Sequence, residues 1–328
     1  MAKYIIKRII YMIFVFFIMS FVLFFLYNLI PGDPARAQLE PMKDKLTAEE
    51  YQQRYEQLRK QMGLDDPLPV RYGKWIGGIV KGDLGTSSVY KLPVIEVVKQ
   101  PLKNTIFINV FAIALALGIT IPLGIYCAVK RNSIFDKIVQ VLTIVGYSIP
   151  EFIICLLFIY LFAVILGWFP VSGMSTANFK GTQFQAFLDR LWHLALPLGV
   201  LTIGSLGGMT RYVRAAMTDA LHMDYIKTAR AKGLKERVVI YSHAWRNALL
   251  PVITLIIGWF MSVFSGSLVV ESMFNWHGMG KFYMDALSNQ DYNVALAIQM
   301  FYIIISLVGY LITDLSYGLV DPRVRVDR

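Results

Sequence analysis

Charge is what this chain has least of. Only 16% of its 328 residues are Asp, Glu, Lys or Arg, against about a quarter in soluble domains, too few to cover a water-facing surface of that size. Cysteine is nearly absent. Cys127 and Cys155 both fall inside apolar stretches, so a disulfide framework is excluded and packing is the expected role of both thiols. The four histidines, His193, His222, His243 and His277, are scattered, with no H-E-x-x-H pair and no metal-ligand spacing. A phosphate loop of the form G-x-x-x-x-G-K-[ST] is missing, since "AKGLKE" and "YGKWIGG" lack the pattern. The serine of "GYSIP" is not set in a G-x-S-x-G elbow. No catalytic constellation, resident cofactor or metal site is expected.

What the chain has instead is apolar length. Hydrophobic residues make up 56% of it and the mean hydropathy is +0.53. Residues 9–30, 105–129, 249–270 and 294–312 are uncharged and near the ~20 residues needed to cross a bilayer as helix. Residues 138–166 are interrupted only by Glu151, and 191–209 only by His193. The expected fold is all-α, a polytopic membrane protein with six transmembrane helices. The first run exceeds the ~7–15 apolar residues of a signal peptide and leads into "NLIPGDP" with no small-residue cleavage site. It is read as a retained helix.

Orientation follows from Lys and Arg in short loops. Lys3, Lys7 and Arg8, then Lys130, Arg131 and Lys137, the basic segment 211–246, and Arg323, Arg325 and Arg328 fall on one side. The other side holds Lys180, Arg190 and Lys281 in its short loops. Both termini are therefore expected in the cytoplasm. The net charge of +10 is read as this bias and not as a nucleic-acid surface. Two regions follow: 1–100, one transmembrane helix plus a long extracytoplasmic segment, and 101–328, a five-helix core with a cytoplasmic loop at about 211–249.

Within the extracytoplasmic segment, "LTAEEYQQRYEQLRKQMG" sets Thr47 and Glu50 as a capping box, with Gly63 and Pro67 as stops. "RYGKWIGGIVKGDLGTS" suits short turns at headgroup level. The segment reads either as a solvated cap or as a docking surface. Inside the membrane, Glu151 near mid-span costs about 2.5–3.5 kcal/mol on insertion scales; it reads as a functional group facing water, or as a structural hydrogen bond. Ser148 and Glu271 join it as candidates for a translocation path.

The segment "DYIKTARAKGLKERVVIYSHAWRNALLP", 224–251, is basic and helix-prone between two apolar blocks. Gly233 should end or bend a short helix, and "TARA" offers small side chains that could enter a partner's groove; alternatively it is a positive-inside loop on lipid. This stretch resembles the cytoplasmic signature loop of ABC importer membrane subunits, named for an E-A-A-x-x-x-G core. It is most similar to the peptide-permease branch, where "TARAKGL" and a later "HA…RNALLP" recur. "IPGDP", "DDPLPVRYGKWIGGIVKGDLGTS", "TIPLGI", "SIPEF", "VVESMFNWHGMG" and "DLSYGLVDPRVR" resemble that branch in order and spacing. Departures are Lys227, Thr228 and Ala229 at the E-A-A positions, and Trp276 and His277 where the branch usually has proline.

The resemblance implies a type I importer permease fold and the B-type membrane subunit of an oligopeptide or dipeptide permease in the bacterial cell membrane. It implies a second homologous membrane subunit, an extracytoplasmic binding protein that delivers peptide, and two ATP-binding subunits carrying ATP and Mg. It makes Tyr225, Ala229, Arg230, Ala231, Lys232, Gly233 and Leu234 a coupling helix against an ATP-binding subunit. Relatives of the branch also move glutathione, nickel chelates or oligosaccharides. Rival readings are a proton-coupled secondary transporter with Glu151 as carrier, a membrane enzyme and a structural anchor. The missing phosphate loop yields a prediction: the purified chain alone neither binds nor hydrolyses ATP, and hydrolysis above a mock preparation would overturn it.

Overall fold

Runs of apolar residues in a bilayer have no water to satisfy their backbone groups, so they fold as helices that bond internally. The computed structural model, which describes residues 2–30 and 32–320, bears this out. The described residues are helical apart from connecting turns and one isolated bridge between Thr86 and Pro93. The arginines at 323, 325 and 328 used above for orientation lie outside them.

Four helices are long and apolar enough to span a membrane: α1 (Ala2–Leu29), α5 (Val94–Val129), α8 (Gln183–Leu221) and α14 (Tyr292–Val320). Two further candidates are bent pairs. In the first, α6 (Ile134–Ser148) meets α7 (Glu151–Phe158) and its continuation Ile159–Ile165 at 101°. In the second, 236–249 meets 251–262 at 63°. Counting each pair as one span gives six.

The apolar run 138–166, read above as one span, is divided by the first bend. Pro150 disfavours helical backbone at the residue before it, and Ile149 is extended (φ −78°, ψ 127°). Glu151 therefore sits in the first turn of a new helix, beside the break. The run 249–270 is also divided. α11 (Trp245–Ser262) stops, and α12 (Leu268–Met273) begins after an irregular stretch. There Gly266 approaches Gly280 so closely that a Cβ would lie 2.3 Å from the Gly280 nitrogen.

The chain clusters into two compact units, 1–102 with 282–308, and 103–281 with the described residues from 309 on. In the first unit, Asp33 caps α2 (Pro34–Leu39), accepting from the Ala35 and Arg36 amides. Thr47 and Glu50 close both bonds of a capping box on α3 (Ala48–Gln61). Gly63, at φ +63°, ends that helix, with the Leu64 amide donating to the Arg59 carbonyl. The aromatic stretch expected to form short turns is instead a helix, α4 (Leu68–Val80). Tyr72 and Trp75, three apart on one face, stack against Phe24 at 5.7 and 5.1 Å, and the Tyr72 hydroxyl pairs with Ser20 at 2.8 Å. That aromatic packing outweighs the weak helix propensity of its three glycines.

In the second unit α6 and α8 are clamped by a bidentate ion pair. Arg214 Nε and Nη2 each donate to Asp136 at 2.7 Å. Gly207 lets the two helices touch. A Cβ there would lie 2.7 Å from the Thr143 carbonyl oxygen and 2.9 Å from Tyr147 Cβ, whereas neighbouring Gly208 has nothing within 4 Å. Gly207→Ala is expected to cost about 1–3 kcal/mol by overpacking, and Gly208→Ala to be neutral or slightly stabilising through helix propensity. Thermal unfolding of both variants in detergent measures the difference; equal midpoints would refute it.

Candidate functional site

Within the basic segment, Asp224–Ala231 forms α9. An eight-residue helix is too short to persist on its own, so its existence depends on packing. Ile226 (0% exposed) and Ala229 (4%) enter a core with Ile125 and Ala128 of α5, Met209, Val213 and Met217 of α8, and Val239, Ala244 and Ala248 further on. Burying the isoleucine alone contributes about 1.5–3 kcal/mol.

Of the seven residues singled out here, Tyr225, Arg230, Ala231, Lys232, Gly233 and Leu234 are exposed, and Ala229 is buried in its own chain. The expectation that Ala229 offers its small side chain to a partner is thereby corrected. It is small because α9 must approach α8 and the start of α11. Gly233 is at φ +74° and makes both bonds of a Schellman turn, its amide donating to the Arg230 carbonyl at 2.9 Å and the Leu234 amide to the Ala229 carbonyl at 3.4 Å. Nothing lies within 4 Å of where its Cβ would be, so its requirement is conformational, not steric.

The exposed face is charged and internally braced. Arg230 grips Glu236 through Nε at 3.2 Å and Nη2 at 2.7 Å, bridging the turn. The Lys227 ammonium, 2.9 Å away, holds the Asp224 carboxyl below its ordinary range, and burial pushes the Tyr225 phenol up. After the turn, Glu236–Val238 forms α10, and Val239–Ala244 is wound in wide π turns that run into α11, with the Trp245 amide reaching back to the Ile240 carbonyl.

The other candidates do not gather into one site. Ser148 is exposed and donates to the Ile144 carbonyl. Glu151 is half-buried and accepts from Ser267, the residue that caps α12, at 3.2 Å. Glu271 is 1% exposed. Its carboxylate accepts from Thr105 Oγ1 at 2.7 Å and from the Gly280 and Lys281 amides at 2.7 and 3.0 Å, binding the first turn of α13 (Met279–Ser288). With these three bonds Glu271 acts in this structure as a brace between α5, α12 and the start of α13. Beside it, Trp276 is fully buried and donates to the Asn104 carbonyl at 3.0 Å. Arg190 lies 4.4 Å over Phe107 and 5.5 Å from Trp276, so the loop with tryptophan in place of proline is packed as core.

Sequence reasoning missed Asp136 and Arg214. The S-x-x-D spacing of Ser133 and Asp136, an N-cap pattern, was the available signal, but the arginine lies 78 positions away. Among the described residues no group of three or more His, Cys, Asp or Glu could hold a metal ion.

With this geometry in place, comparison with known families is decisive. Residues 120–326 match the model of the binding-protein-dependent transport system inner membrane component, and 1–117 match its N-terminal companion. The chain belongs to this permease family. The oligopeptide transport system permease protein AppB of Bacillus subtilis (strain 168) is 40% identical over 325 residues, 99% of each chain. The glutathione transport system permease protein GsiC is 34% identical in Pectobacterium atrosepticum over 326 residues and 33% in Escherichia coli (strain K12) over 325, again 99% of each chain. The crystal structure of an amino acid ABC transporter with histidines shares the fold, with TM-score 0.50 at 15% identity, covering 68% of this chain and 94% of that one. The chain is thus a multi-pass membrane permease subunit of the type I importer fold, and these relatives lend no support to proton coupling.

The turn gives this permease's next prediction. Gly233→Ala is expected to cost about 1–2 kcal/mol, because an L side chain is strained at left-handed backbone, while Gly233→Asn costs little. Hydrogen exchange across 229–234 should quicken in the alanine variant only. Equal exchange in both would show that the turn tolerates any residue.

Proposed function

We propose that this chain is one of two homologous membrane subunits of an ATP-driven peptide importer in the bacterial cell membrane. Its N- and C-termini face the cytoplasm, an external binding protein delivers the peptide, and two separate subunits bind ATP and Mg. The substrate class rests on the relatives, whose names include oligopeptide and glutathione, itself a small peptide. The orientation rests on the lysine and arginine bias of the short loops.

One observation supports the mechanism: α9 has an inward face fused into a core of three other helical segments and an exposed opposite face. In this reading the exposed face, with Tyr225, Arg230, Ala231, Lys232 and Leu234, seats in a groove of an ATP-binding subunit. When those subunits close on ATP, α9 is displaced, and Ile226 and Ala229 pass the displacement into α5, α8 and α11. Packed interiors resist compression, so the helices move with α9. Glu151, tied to Ser267 beside the α6–α7 break, and the exposed Ser148 on the other side of that break are the candidates for the peptide path.

The two alanines separate the roles. Ala231→Trp is expected to leave the chain folded and inserted while lowering capture of the ATP-binding subunits and peptide-stimulated ATP hydrolysis at least tenfold in reconstituted complexes. Ala229→Trp is expected to reduce folded protein itself, since its site is core. Full assembly and coupling in Ala231→Trp would return the segment to a loop that touches only lipid.

A further inference from the structure

The first unit contains a cleft of about 720 Å³ that the transport reading does not use. Its lining joins the last turns of α1, through Phe24, Tyr27 and Asn28, to the first turn of α14, through Tyr292 and Asn293. Both are ends of apolar spans, so the cleft lies where the hydrocarbon stops. Trp75 of α4 lines it, and tryptophan and tyrosine collect at that depth.

The charges in the cleft do not all cancel locally. Its three carboxylates are supplied with donors from the protein. Asp33 accepts from the Ala35 and Arg36 amides and from Tyr55 and Arg59. Asp66 accepts from Lys74 at 2.6 Å. Asp291 accepts from Ser87 and from the Ser88 and Val89 amides. The side-chain cations of two lining residues, Arg71 and Lys60, make no hydrogen bond or ion pair with any described residue. Arg71 is half-buried, and this burial disfavours its charge, with Asp66 helping and Arg59 opposing from longer range. A half-buried guanidinium with five donors and no acceptor is suited to an anion from outside the chain, and its planar fork matches phosphate.

We propose that this cleft binds the phosphate headgroup of an anionic phospholipid, held by Arg71 and Lys60, with the acyl chains lying along the apolar end of α1. A free peptide carboxylate satisfies the same cations but leaves the apolar and aromatic side of the cleft without a reason. The site is independent of which substrate the permease carries and of which membrane face the cleft occupies.

The test uses the assembled transporter in neutral detergent, with short-chain phosphatidylglycerol, phosphatidylcholine of equal chain length, inorganic phosphate and trialanine as probes. Native mass spectrometry counts lipid adducts, and thermal unfolding reports stabilisation. Phosphatidylglycerol is expected to bind and stabilise the wild type, phosphatidylcholine is not, and Arg71→Gln and Lys60→Gln are each expected to weaken phosphatidylglycerol binding roughly fivefold. Lys60 is exposed, so its variant carries the test if Arg71→Gln fails to assemble. Equal binding of the two lipids, or unchanged affinity in the variants, overturns the proposal. Equal protection by inorganic phosphate would make the site one for a free anion, and displacement of phosphatidylglycerol by trialanine would make it one for peptide; either result also overturns it.

Discussion

The burial of one face of a two-turn helix is the constraint on which the basic segment of this permease depends. α9 is too short to be stable alone, and its sequence offers only Ile226 and Ala229 to the interior. It is helical because α5, α8 and the start of α11 supply the other side of that contact. The contact is mutual, since Ile226 and Ala229 also close the core that α5, α8 and α11 share. The Schellman turn at Gly233 and the Arg230–Glu236 pair then fix where the chain leaves the helix, so the exposed face has one definite outline.

Elsewhere the second unit spends its few polar side chains on rigidity. Asp136 and Arg214 are matched to each other, and Glu271 is filled by three donors. Asn104 accepts from Arg190 and Trp276 while donating to the His277 carbonyl. Each of these groups would be costly to leave unpaired in a low-dielectric setting. Their mutual satisfaction accounts for charge inside an apolar chain without invoking transport.

What the sequence made legible was local. The capping box at Thr47 and Glu50 and the glycine stops at Gly63 and Gly233 involve residues a few positions apart, so spacing alone reveals them. The apolar runs marked the spans because length and lack of charge suffice. Pro150 was only a weak signal of the break, since proline is common in membrane helices that merely kink. Ala229 was misread for a related reason: a small residue is compatible with a foreign groove and with a close contact inside the chain, and only the packing distinguishes them. Glu271 and Asp136 draw their partners from 166 and 78 positions away, distances at which a single sequence carries no pattern. The helix at α4 was hidden by its glycines, whose poor propensity is overridden by stacking on α1.

The π turns over Val239–Ala244 make chain length itself a functional quantity. A π turn holds one more residue than the α turn it replaces, and each residue of an α-helix adds about 100° of rotation. Removing a single residue there would let the backbone run on as an unbroken α-helix. It would also rotate Val239 and α10 about the axis by roughly that angle, away from the core that Ala244 and Ala248 enter. A deletion that no residue-by-residue comparison of chemistry would flag would thus turn the base of the α9 seam toward solvent. In this stretch the chain is constrained by counting as much as by composition.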